Sequence, residues 1–328
     1  MNLAVNRSCL VCGSARLGPL YREVRDRYGV ASGTYAFLRC DECGSATLDP
    51  VPATAVIPAL YPRQYTFKVP QPEDAPLLRL QRALEWRAFY LPIYRQRART
   101  FRRLTGLVSG RLLEVGCGSG LFLRHLAAAG YEVEGVDTSE PDVDYARGRL
   151  GLPVHLGELR DLPAPDGSYD AVLLFSVLEH VPHPLGTVRE TFRMLKPKGW
   201  IVLAVPVIDS WQAKLLGRWW GQVTEAPRHL MIPSSAGVRR LLRTAGFRDV
   251  RSAPGPLIDN AGVIALSILP GAATPRSYGR SSSLGLILRR SAGALLILPS
   301  LLLALAERLP VAGRRAGTMV FCGRKPGT

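Results

Sequence analysis

The chain has 328 residues, of which 47% are hydrophobic and 21% are charged. This is the composition of a globular protein, and the length excludes a chain too small to bury a sizeable core. The net charge of +16 is uneven, because residues 112–210 carry −6 between flanks of +8 at 79–111 and +13 at 211–328. Basic flanks attract anions such as nucleic acid, phosphorylated small molecules or an anionic bilayer, although a solvated arginine-rich surface has the same composition.

The chain starts with MNLAVNRSC, which lacks the basic start, apolar stretch and cleavage site of a secretory signal. We therefore expect a cytoplasmic protein. Its cysteines then meet a reducing environment, in which paired CxxC motifs hold metal more often than they form disulfides.

Four of the six cysteines form two copies of one motif, CLVCGS at 9–14 and CDECGS at 40–45. In each copy a glycine follows the second cysteine and allows a turn tight enough for both sulfurs to reach one ion. The spacing predicts a small ribbon at 1–48 that holds a structural zinc, since protein fills all four positions. A redox dithiol pair and a rubredoxin-like iron site remain alternatives. The predicted ligands are Cys9, Cys12, Cys40 and Cys43.

Residues 49–110 are predicted to connect the ribbon to the main domain. Leu48 to Pro76 carries seven prolines and no sustained period, which indicates an extended segment. Leu77 to Leu104 is predicted as one or two arginine-rich helices that Pro92 kinks or divides. These helices either lie on the main domain with their arginines in solvent or form a lid that faces phosphate.

At residue 111 a strand, a glycine-rich turn and a helix follow one another in RLLEVGCGSGLFLRHLAAAG. Such a turn gathers backbone N–H groups and a helix N-terminus, which suits a nucleotide or a carboxylate. The next strand, YEVEGVD, ends in Asp137, an acceptor for ribose hydroxyls. The glycines have GxGxG spacing, and Glu114 precedes them.

These residues resemble the class I S-adenosylmethionine-dependent methyltransferases. EVGCGSG resembles their first motif and VEGVDTSE their second strand, and GELRDL, VLLFSVLEH and MLKPKGWIVLAVPV are similar to the segments that follow. The resemblance covers about residues 111–208. It implies a cofactor site with Asp161 and Leu162 at the adenine and Phe175 and Ser176 at the methionine end. The full implied set is Glu114, Gly116, Cys117, Gly118, Gly120, Asp137, Thr138, Asp161, Leu162, Phe175 and Ser176.

The resemblance also implies the fold class, an α/β Rossmann-like sheet of seven strands at 111–328. SSAGVRRLLRTAGFRDVRSA resembles the late helix and sixth strand, and GTMVFCGRK resembles a seventh strand that lies antiparallel between the fifth and sixth. Cys322 then packs in a buried strand, and Cys117 is a small side chain under the cofactor rather than a nucleophile. An apolar helical insert at about 256–312 precedes the last strand.

Methyl transfer to a sugar hydroxyl or a carbon acid needs a base, whereas amines and thiolates need none. His180 in LEHV and His229 in APRHLM are the candidates, because both segments border the side of the sheet where substrate enters in this fold. The alternative for each is a structural histidine. His125, His155 and His183 are interpreted as structural.

The segment SWQAKLLGRWWGQVTEAPRHL combines tryptophans with charged groups, which suits a sugar carrying phosphate or a cap over the cofactor. Together with the ribbon it resembles bacterial methyltransferases of sugar, glycan and polyketide tailoring. Sugar C-methyltransferases carry a further C-terminal domain that is absent from this sequence, so O-methylation is as well supported as C-methylation. The predicted acceptor is a sugar, a glycan or a lipid-linked small molecule.

Two uncharged stretches, 260–275 and 291–306, lie in the C-terminal insert. At ~1.5 Å per residue, 16 residues span roughly 24 Å, less than a ~30 Å hydrocarbon core, and Pro299 is predicted to interrupt the second stretch. We expect peripheral attachment to the inner face of the membrane, or helices that cover the substrate or pair with a second subunit in a homodimer. The bracketing arginines are Arg276, Arg280, Arg289, Arg290, Arg308, Arg314 and Arg315.

Two other classes of function remain open. A ribosomal-RNA methyltransferase also combines a zinc ribbon, this fold and a basic surface, but the sequence lacks the Asn/Asp-Pro-Pro-aromatic motif of base N-methylation and its apolar insert suits RNA poorly. A non-catalytic scaffold could keep the fold and use the ribbon to bind a partner. The intact glycine turn and Asp137 argue against a scaffold.

Overall fold

A computed structural model describes residues 3–4, 8–61, 76–269, 283–309 and 315–327. The strands are β1 Leu3–Ala4, β2 Leu17–Val24, β3 Tyr35–Cys40, β4 Ala46–Asp49, β5 Val51–Pro52, β6 Arg111–Val115, β7 Glu132–Asp137, β8 Val154–Leu156, β9 Tyr169–Phe175, β10 Leu195–Pro206, β11 Met231–Ile232, β12 Arg248–Pro254 and β13 Thr318–Arg324. The α-helices are α1 Pro76–Glu85, α2 Leu91–Thr105, α3 Leu121–Ala127, α4 Glu140–Leu150, α5 Pro184–Met194, α6 Trp211–Leu216, α7 Ser235–Thr244, α8 Leu257–Ile268 and α9 Ser283–Ala306.

The main sheet has seven strands in the order β12-β13-β10-β9-β6-β7-β8. β10, β9, β6, β7 and β8 pair in parallel, whereas β13 runs antiparallel between β10 and β12. The central strands are buried on both faces, which explains their continuous apolar sequences, VLLF in β9 and IVLAV in β10. The predicted α/β Rossmann-like fold, with its antiparallel seventh strand, is confirmed.

Helices cover the two faces of this sheet with separate cores. On one face, α5 and α7 pack Val188 and Leu241 against the strands. On the other face, α2, α3 and α4 contribute Phe101, Leu123 and Ala146. Because β10, β9, β6, β7 and β8 are parallel, their carboxyl ends lie at a common edge of the sheet. Parallel α/β folds bind their ligands at this edge.

The N-terminal segment forms a second sheet in the order β11-β4-β3-β2. Its first three strands along the chain, β2, β3 and β4, belong to the predicted ribbon. β11 comes from the segment after α6, and Met231 pairs with Thr47 across the junction. Trp220 and Leu230 of that later segment are buried in one core with Phe37 and Leu48. The ribbon and the segment that carries His229 therefore share one sheet and one core.

The connector contains a short 3-10 helix, Thr54–Leu60, and then the helical segment that the sequence predicts. A single π turn, Trp86–Tyr90, separates α1 from α2. Pro92 directly follows this π turn within a continuously helical stretch, because Tyr90 and Leu91 both have right-handed helical dihedrals. Its missing N–H removes an intrahelical hydrogen bond at the position where the sequence predicts a kink or a division. The part of the proline-rich segment at 62–75 lies outside the described residues.

The apolar insert forms the helices α8 and α9, which pack together through Ala261, Ile264 and Ala304. α9 has 24 residues and contains Pro299 within it, so the expectation that Pro299 interrupts this stretch is wrong. No helix in the described part of the chain is long and apolar enough to cross a membrane. Arg276, Arg280 and Arg314 lie outside the described residues.

Candidate functional site

The glycine-rich turn lies between β6 and α3, at the carboxyl ends of the parallel strands. Gly116, Gly118 and Gly120 all have positive φ, at 66°, 51° and 74°. A Cβ atom at Gly116 would lie 2.5 Å from Val177 Cγ2, so the turn needs glycine there for both conformation and space. The backbone N–H of Gly116 donates to the Val136 carbonyl at 2.8 Å, which fixes the turn against the end of β7.

The carboxylate of Asp137 lies directly beside this turn. Its Oδ2 accepts a 2.7 Å hydrogen bond from the Gly118 N–H, and its Oδ1 accepts one of 2.8 Å from the Ser139 N–H. Burial raises the pKa of Asp137, and the two N–H donors oppose that rise. The side chain is held rigidly at the end of β7 next to Thr138, in the position that the sequence predicts for a ribose acceptor.

Glu114, on β6, is a buried carboxylate that lacks a hydrogen bond to one oxygen. The side chain is 4% exposed, and its Oε2 has no partner among the described residues. Burial raises the pKa of Glu114 to about 8, although Arg97 lowers it. An unpaired buried carboxylate is costly unless a cation or a donor compensates for it. The ammonium of a bound amino-acid group fits this requirement.

Aromatic and basic groups lie at the end of β9. The Phe175 ring contacts Phe122 edge to face at 5.2 Å between centroids, and the Arg97 guanidinium lies 5.2 Å from the Phe175 centroid. Arg97 also pairs with Asp259 at 3.4 Å. Ser176, the next residue, has a φ of 57°, a conformation that a non-glycine residue adopts only under local constraint.

The remaining predicted cofactor residues differ in exposure. Leu162 is buried, whereas Asp161 is exposed and accepts a 2.9 Å hydrogen bond from the Glu158 N–H in a reciprocal cap of the 3-10 turn Leu159–Asp161. Cys117 is buried against Gly135, where an added Cβ would lie 2.7 Å from its sulfur. Burial raises the pKa of the Cys117 thiol, so the residue has the inert character that the sequence predicts.

The structure brings the two predicted bases together. The rings of His180 and His229 meet edge to face, with centroids 4.7 Å apart. Glu179 joins them, and one ligating atom from each of the three side chains lies within 4.8 Å of the others. Glu179 and His180 lie in the 3-10 turn Leu178–His180 that follows β9, whereas His229 immediately precedes β11.

Hydrogen bonds orient both imidazoles. His229 Nδ1 lies 2.8 Å from the Gln222 carbonyl oxygen, and His180 Nδ1 lies 3.1 Å from the Arg228 carbonyl oxygen and 2.9 Å from the Tyr61 hydroxyl. A carbonyl only accepts, so these contacts assign the proton of each ring to Nδ1 and leave a lone pair on Nε2. Desolvation lowers the pKa of each histidine to about 3, so both rings are neutral at pH 7.

A buried ion-pair network is centred on Arg228, the residue that precedes His229 in the sequence. Arg228 is fully buried and donates to Asp26 at 2.6 Å and to Glu225 at 3.2 Å. It also donates to the Leu60 carbonyl at 3.3 Å. The network therefore joins the segment after β2, the 3-10 helix of the connector and the loop before β11, so that three distant parts of the sequence fix one histidine.

The four ribbon cysteines form a separate cluster whose sulfurs all lie within 4.8 Å of one another. Cys9 and Cys43 sulfurs are 3.6 Å apart, as are those of Cys12 and Cys40, which is too long for a disulfide and suits four thiolates around one ion. Gly13 and Gly44 have positive φ and donate to the carbonyls of Cys9 and Cys40. The turn chemistry inferred from the two CxxCG motifs is therefore present in both.

Several residues of the site carry no clear sequence signal. Glu179 adjoins a predicted base but lies in an ordinary LEH sequence, and Arg97 is one of many arginines in its helix. Tyr61 and Asp26 lie in segments without a recognisable pattern. Tyr61, Arg97 and Asp26 are identified only by their contacts in the structure. These contacts are with His180, Phe175 and Arg228, respectively.

A large open cavity lies along the edge strand β12. Its volume is about 1370 Å³, and α2, α7 and Arg308, which follows α9, contribute to its lining. Asp209 is the one acidic residue among the described residues that line it. The lining arginines are Arg95, Arg99, Arg103, Arg239, Arg308 and Arg315.

Curated proteins match part of the chain. A probable S-adenosylmethionine-dependent methyltransferase of Mycolicibacterium smegmatis is 32% identical over 157 residues, which are 47% of this chain and 58% of that protein. The ubiquinone biosynthesis O-methyltransferase of Bordetella avium is 36% identical over 110 residues, 30% of this chain and 44% of that protein. The chain thus spans about half the length of the curated relatives it matches.

Solved structures share the fold at low sequence identity. Phosphoethanolamine N-methyltransferase 2 of Haemonchus contortus superposes with a TM-score of 0.50 at 16% identity, covering 86% of this chain and 62% of that one. A family profile described as a methyltransferase domain matches residues 82–252, just over half of the chain. The chain therefore belongs to the methyltransferase domain family of enzymes.

Proposed function

We propose that the protein transfers a methyl group from S-adenosylmethionine to a hydroxyl oxygen or an acidic carbon of a small molecule. The observation that carries this proposal is the position of the glycine turn, Glu114 and Asp137 at the same sheet edge as two neutral buried histidines. The first group suits the cofactor. The second supplies the base that these two acceptor types need and that amines do without.

The residues of the turn fit the parts of S-adenosylmethionine. Asp137 would hold the ribose hydroxyls, Glu114 would compensate the ammonium, and Leu162 would line the adenine with Asp161 beside it. Gly118 leaves space for close backbone approach, whereas the space beside Gly120 is filled by Leu152 and Ala146, and Cys117 packs beneath the turn. When bound, this cofactor supplies a methyl group on a positively charged sulfur. The chain's own task is to align the acceptor with it and to remove a proton.

We assign proton removal to His229, with His180 beside it. The Nδ1–H of His229 is tied to the Gln222 carbonyl, so the lone pair on Nε2 is the basic position. Because desolvation lowers the pKa of His229 to about 3, Nε2 is unprotonated across the physiological range, although the same desolvation makes it a weak base. Contacts with Tyr61 and the Arg228 carbonyl fix His180 in the same Nδ1–H tautomer.

We further propose that the acceptor is a sugar or glycan attached to a lipid, reached from the inner face of a membrane. α9 exposes Leu295, Leu298 and Leu302, which are 71–79% accessible. Leucines that face outward on one helix suit an apolar surface such as a bilayer interface. The arginine-lined cavity beside β12 would hold phosphate oxygens, for which guanidinium groups are the preferred partners.

The four cysteines would hold a structural zinc. Zinc takes four thiolates in tetrahedral geometry and leaves no open position for chemistry. Ser234 at the start of α7 donates to the Cys43 carbonyl, which couples the knuckle to the main domain. We expect Cys40→Ser to lower the zinc content below one equivalent per chain while S-adenosylhomocysteine still binds. Full zinc retention in this variant would contradict the assignment.

The proposal is tested with methyl-labelled S-adenosylmethionine and a cell extract separated into lipid, RNA and water-soluble fractions. Label in the lipid or glycan fraction that survives ribonuclease supports the proposal. Ribonuclease-sensitive label would instead support the RNA methyltransferase alternative. Flotation with anionic liposomes at low salt tests membrane attachment separately, and protein that stays at the bottom would overturn that part.

A further inference from the structure

We propose that Glu179, His180 and His229 form a binding site for a divalent transition-metal ion, separate from the four-cysteine site. One ligating atom from each side chain lies within 4.8 Å of the other two. Two imidazole nitrogens and one carboxylate oxygen are a common set of three protein ligands for a catalytic ion. Three ligands leave coordination positions open, whereas the four cysteines leave none.

The hydrogen bonds around the imidazoles are those expected of metal ligands. A ligating histidine usually donates its second N–H to a carbonyl or carboxylate, which fixes the ring and its tautomer. Here the Nδ1 atoms of His229 and His180 lie 2.8 Å and 3.1 Å from the carbonyl oxygens of Gln222 and Arg228. The free Nε2 lone pairs are then the metal-binding positions. Both carbonyls belong to the short segment 222–228, so one loop orients both rings.

The carboxylate of Glu179 gives the second, independent indication. The side chain is 1% exposed, and none of the described residues supplies a hydrogen bond to its Oε2. A buried carboxylate oxygen in this state is costly, and the surrounding charges do not relieve it: Arg97 is opposed by Asp259 and Glu225. A divalent cation would compensate this carboxylate directly.

The donor set indicates which ions fit. Imidazole nitrogen with carboxylate oxygen suits zinc, iron(II), cobalt(II) and manganese(II), whereas calcium and magnesium prefer oxygen alone. An ion here would present its open positions toward the acceptor, so a sugar diol or another chelating pair of oxygens is the ligand class it would select. Coordination lowers the pKa of a bound hydroxyl, whose proton then passes to solvent. In the metal-bound protein the two histidines would be ligands, and direct proton removal by His229 would apply to the metal-free protein alone.

This role in deprotonation rests on the proposed function, but the binding of the ion does not. The two can therefore be tested apart. The probe is cobalt(II) chloride, added to the purified full-length chain with zinc already in the four-cysteine site. After desalting, elemental analysis gives cobalt and zinc per chain, and the absorption spectrum separates cobalt with nitrogen and oxygen ligands from cobalt bound to thiolates.

We expect one equivalent of cobalt beyond the zinc, with a spectrum free of thiolate charge transfer. Glu179→Gln, which keeps the side-chain volume, should weaken cobalt binding at least tenfold, and His229→Gln should do the same. His155→Gln is the matched control, because His155 pairs with Glu134 at the outer strands of the sheet. Binding of S-adenosylhomocysteine by each variant verifies that it is folded.

Cobalt that binds only with thiolate spectra, or unchanged cobalt affinity in Glu179→Gln, would overturn the metal site. Methyl transfer by chelator-treated protein that retains zinc but holds no second ion would overturn the role of that ion in deprotonation. Direct base catalysis by His229 would then remain. Stoichiometric cobalt binding without label transfer to any fraction would keep the metal site and remove the proposed function.

Discussion

The two halves of the site differ in how the chain builds them. In the cofactor half, one continuous segment of β6, the glycine turn and β7 places Glu114 and Asp137 within 24 residues. The acceptor half assembles Tyr61, His180 and His229 from three distant segments. Local backbone hydrogen bonds hold the first half, whereas a buried ion-pair network holds the second. We therefore expect mutations in the first half to change cofactor affinity and mutations in the second to change stability or rate.

The strongest test of this difference removes the centre of the buried network. Arg228→Met removes the cation that contacts the buried carboxylates of Asp26 and Glu225, of which Glu225 still pairs with Arg27 at 3.8 Å, and we expect this to destabilise the protein by about 3–5 kcal/mol. Chemical denaturation measures the loss. The matched control is Arg16→Met, which removes an exposed pair with Glu42 and should cost less than about 1 kcal/mol. Equal effects of the two substitutions would mean that the network does not hold the acceptor half.

Removal of His229 tests the acceptor half without removing a charge. We expect His229→Ala to reduce turnover on the order of 100-fold or more, because it deletes the group to which we assign removal of the acceptor's proton. Affinity for S-adenosylhomocysteine, measured by calorimetry, should be unchanged. Parallel loss of cofactor affinity and rate would identify His229 as structural instead. His155→Ala serves as the control for the loss of an imidazole.

Asp137 gives the corresponding test in the cofactor half. Asp137→Ala removes a charged acceptor, and we expect S-adenosylhomocysteine binding to weaken by about 1.5–3 kcal/mol. The exposed Asp144→Ala on α4 controls for the change in net charge. Affinity equal to that of the unmodified protein would contradict the assignment of Asp137.

These two halves also explain which parts could be predicted from the sequence. The knuckle turns depend on local patterns, namely glycines with positive φ and CxxC spacing, whereas the arrangement of the seven strands is implied by the resemblance of consecutive motifs to a known family. The roles of Glu179 and Tyr61 depend on contacts between distant segments, which a single sequence does not reveal: Tyr61 and His180 are 119 residues apart, and Glu179 and His229 are 50 residues apart. Pro299 shows the opposite error. Its local preference predicts a break, but packing of α9 against α8 accommodates it within a helix.

Glu114 allows the cofactor half to be tested by pH, because burial of its unpaired carboxylate lowers the stability of the folded protein. Burial raises its pKa to about 8, from the ordinary value of 4.5 for an exposed glutamate, so the folded protein binds this proton more tightly than the unfolded chain. The free energy of unfolding should therefore fall as pH rises from 4.5 to about 8, and Glu114→Gln should remove that fall. At pH 6 the variant should be more stable than the unmodified protein by about 2 kcal/mol, with no difference below pH 4.5.

Denaturation at several pH values without cofactor measures this difference in stability. The same variant should bind S-adenosylhomocysteine more weakly, since the ammonium loses its carboxylate. A pH-independent difference in stability would mean that a cation already compensates Glu114 in the free protein.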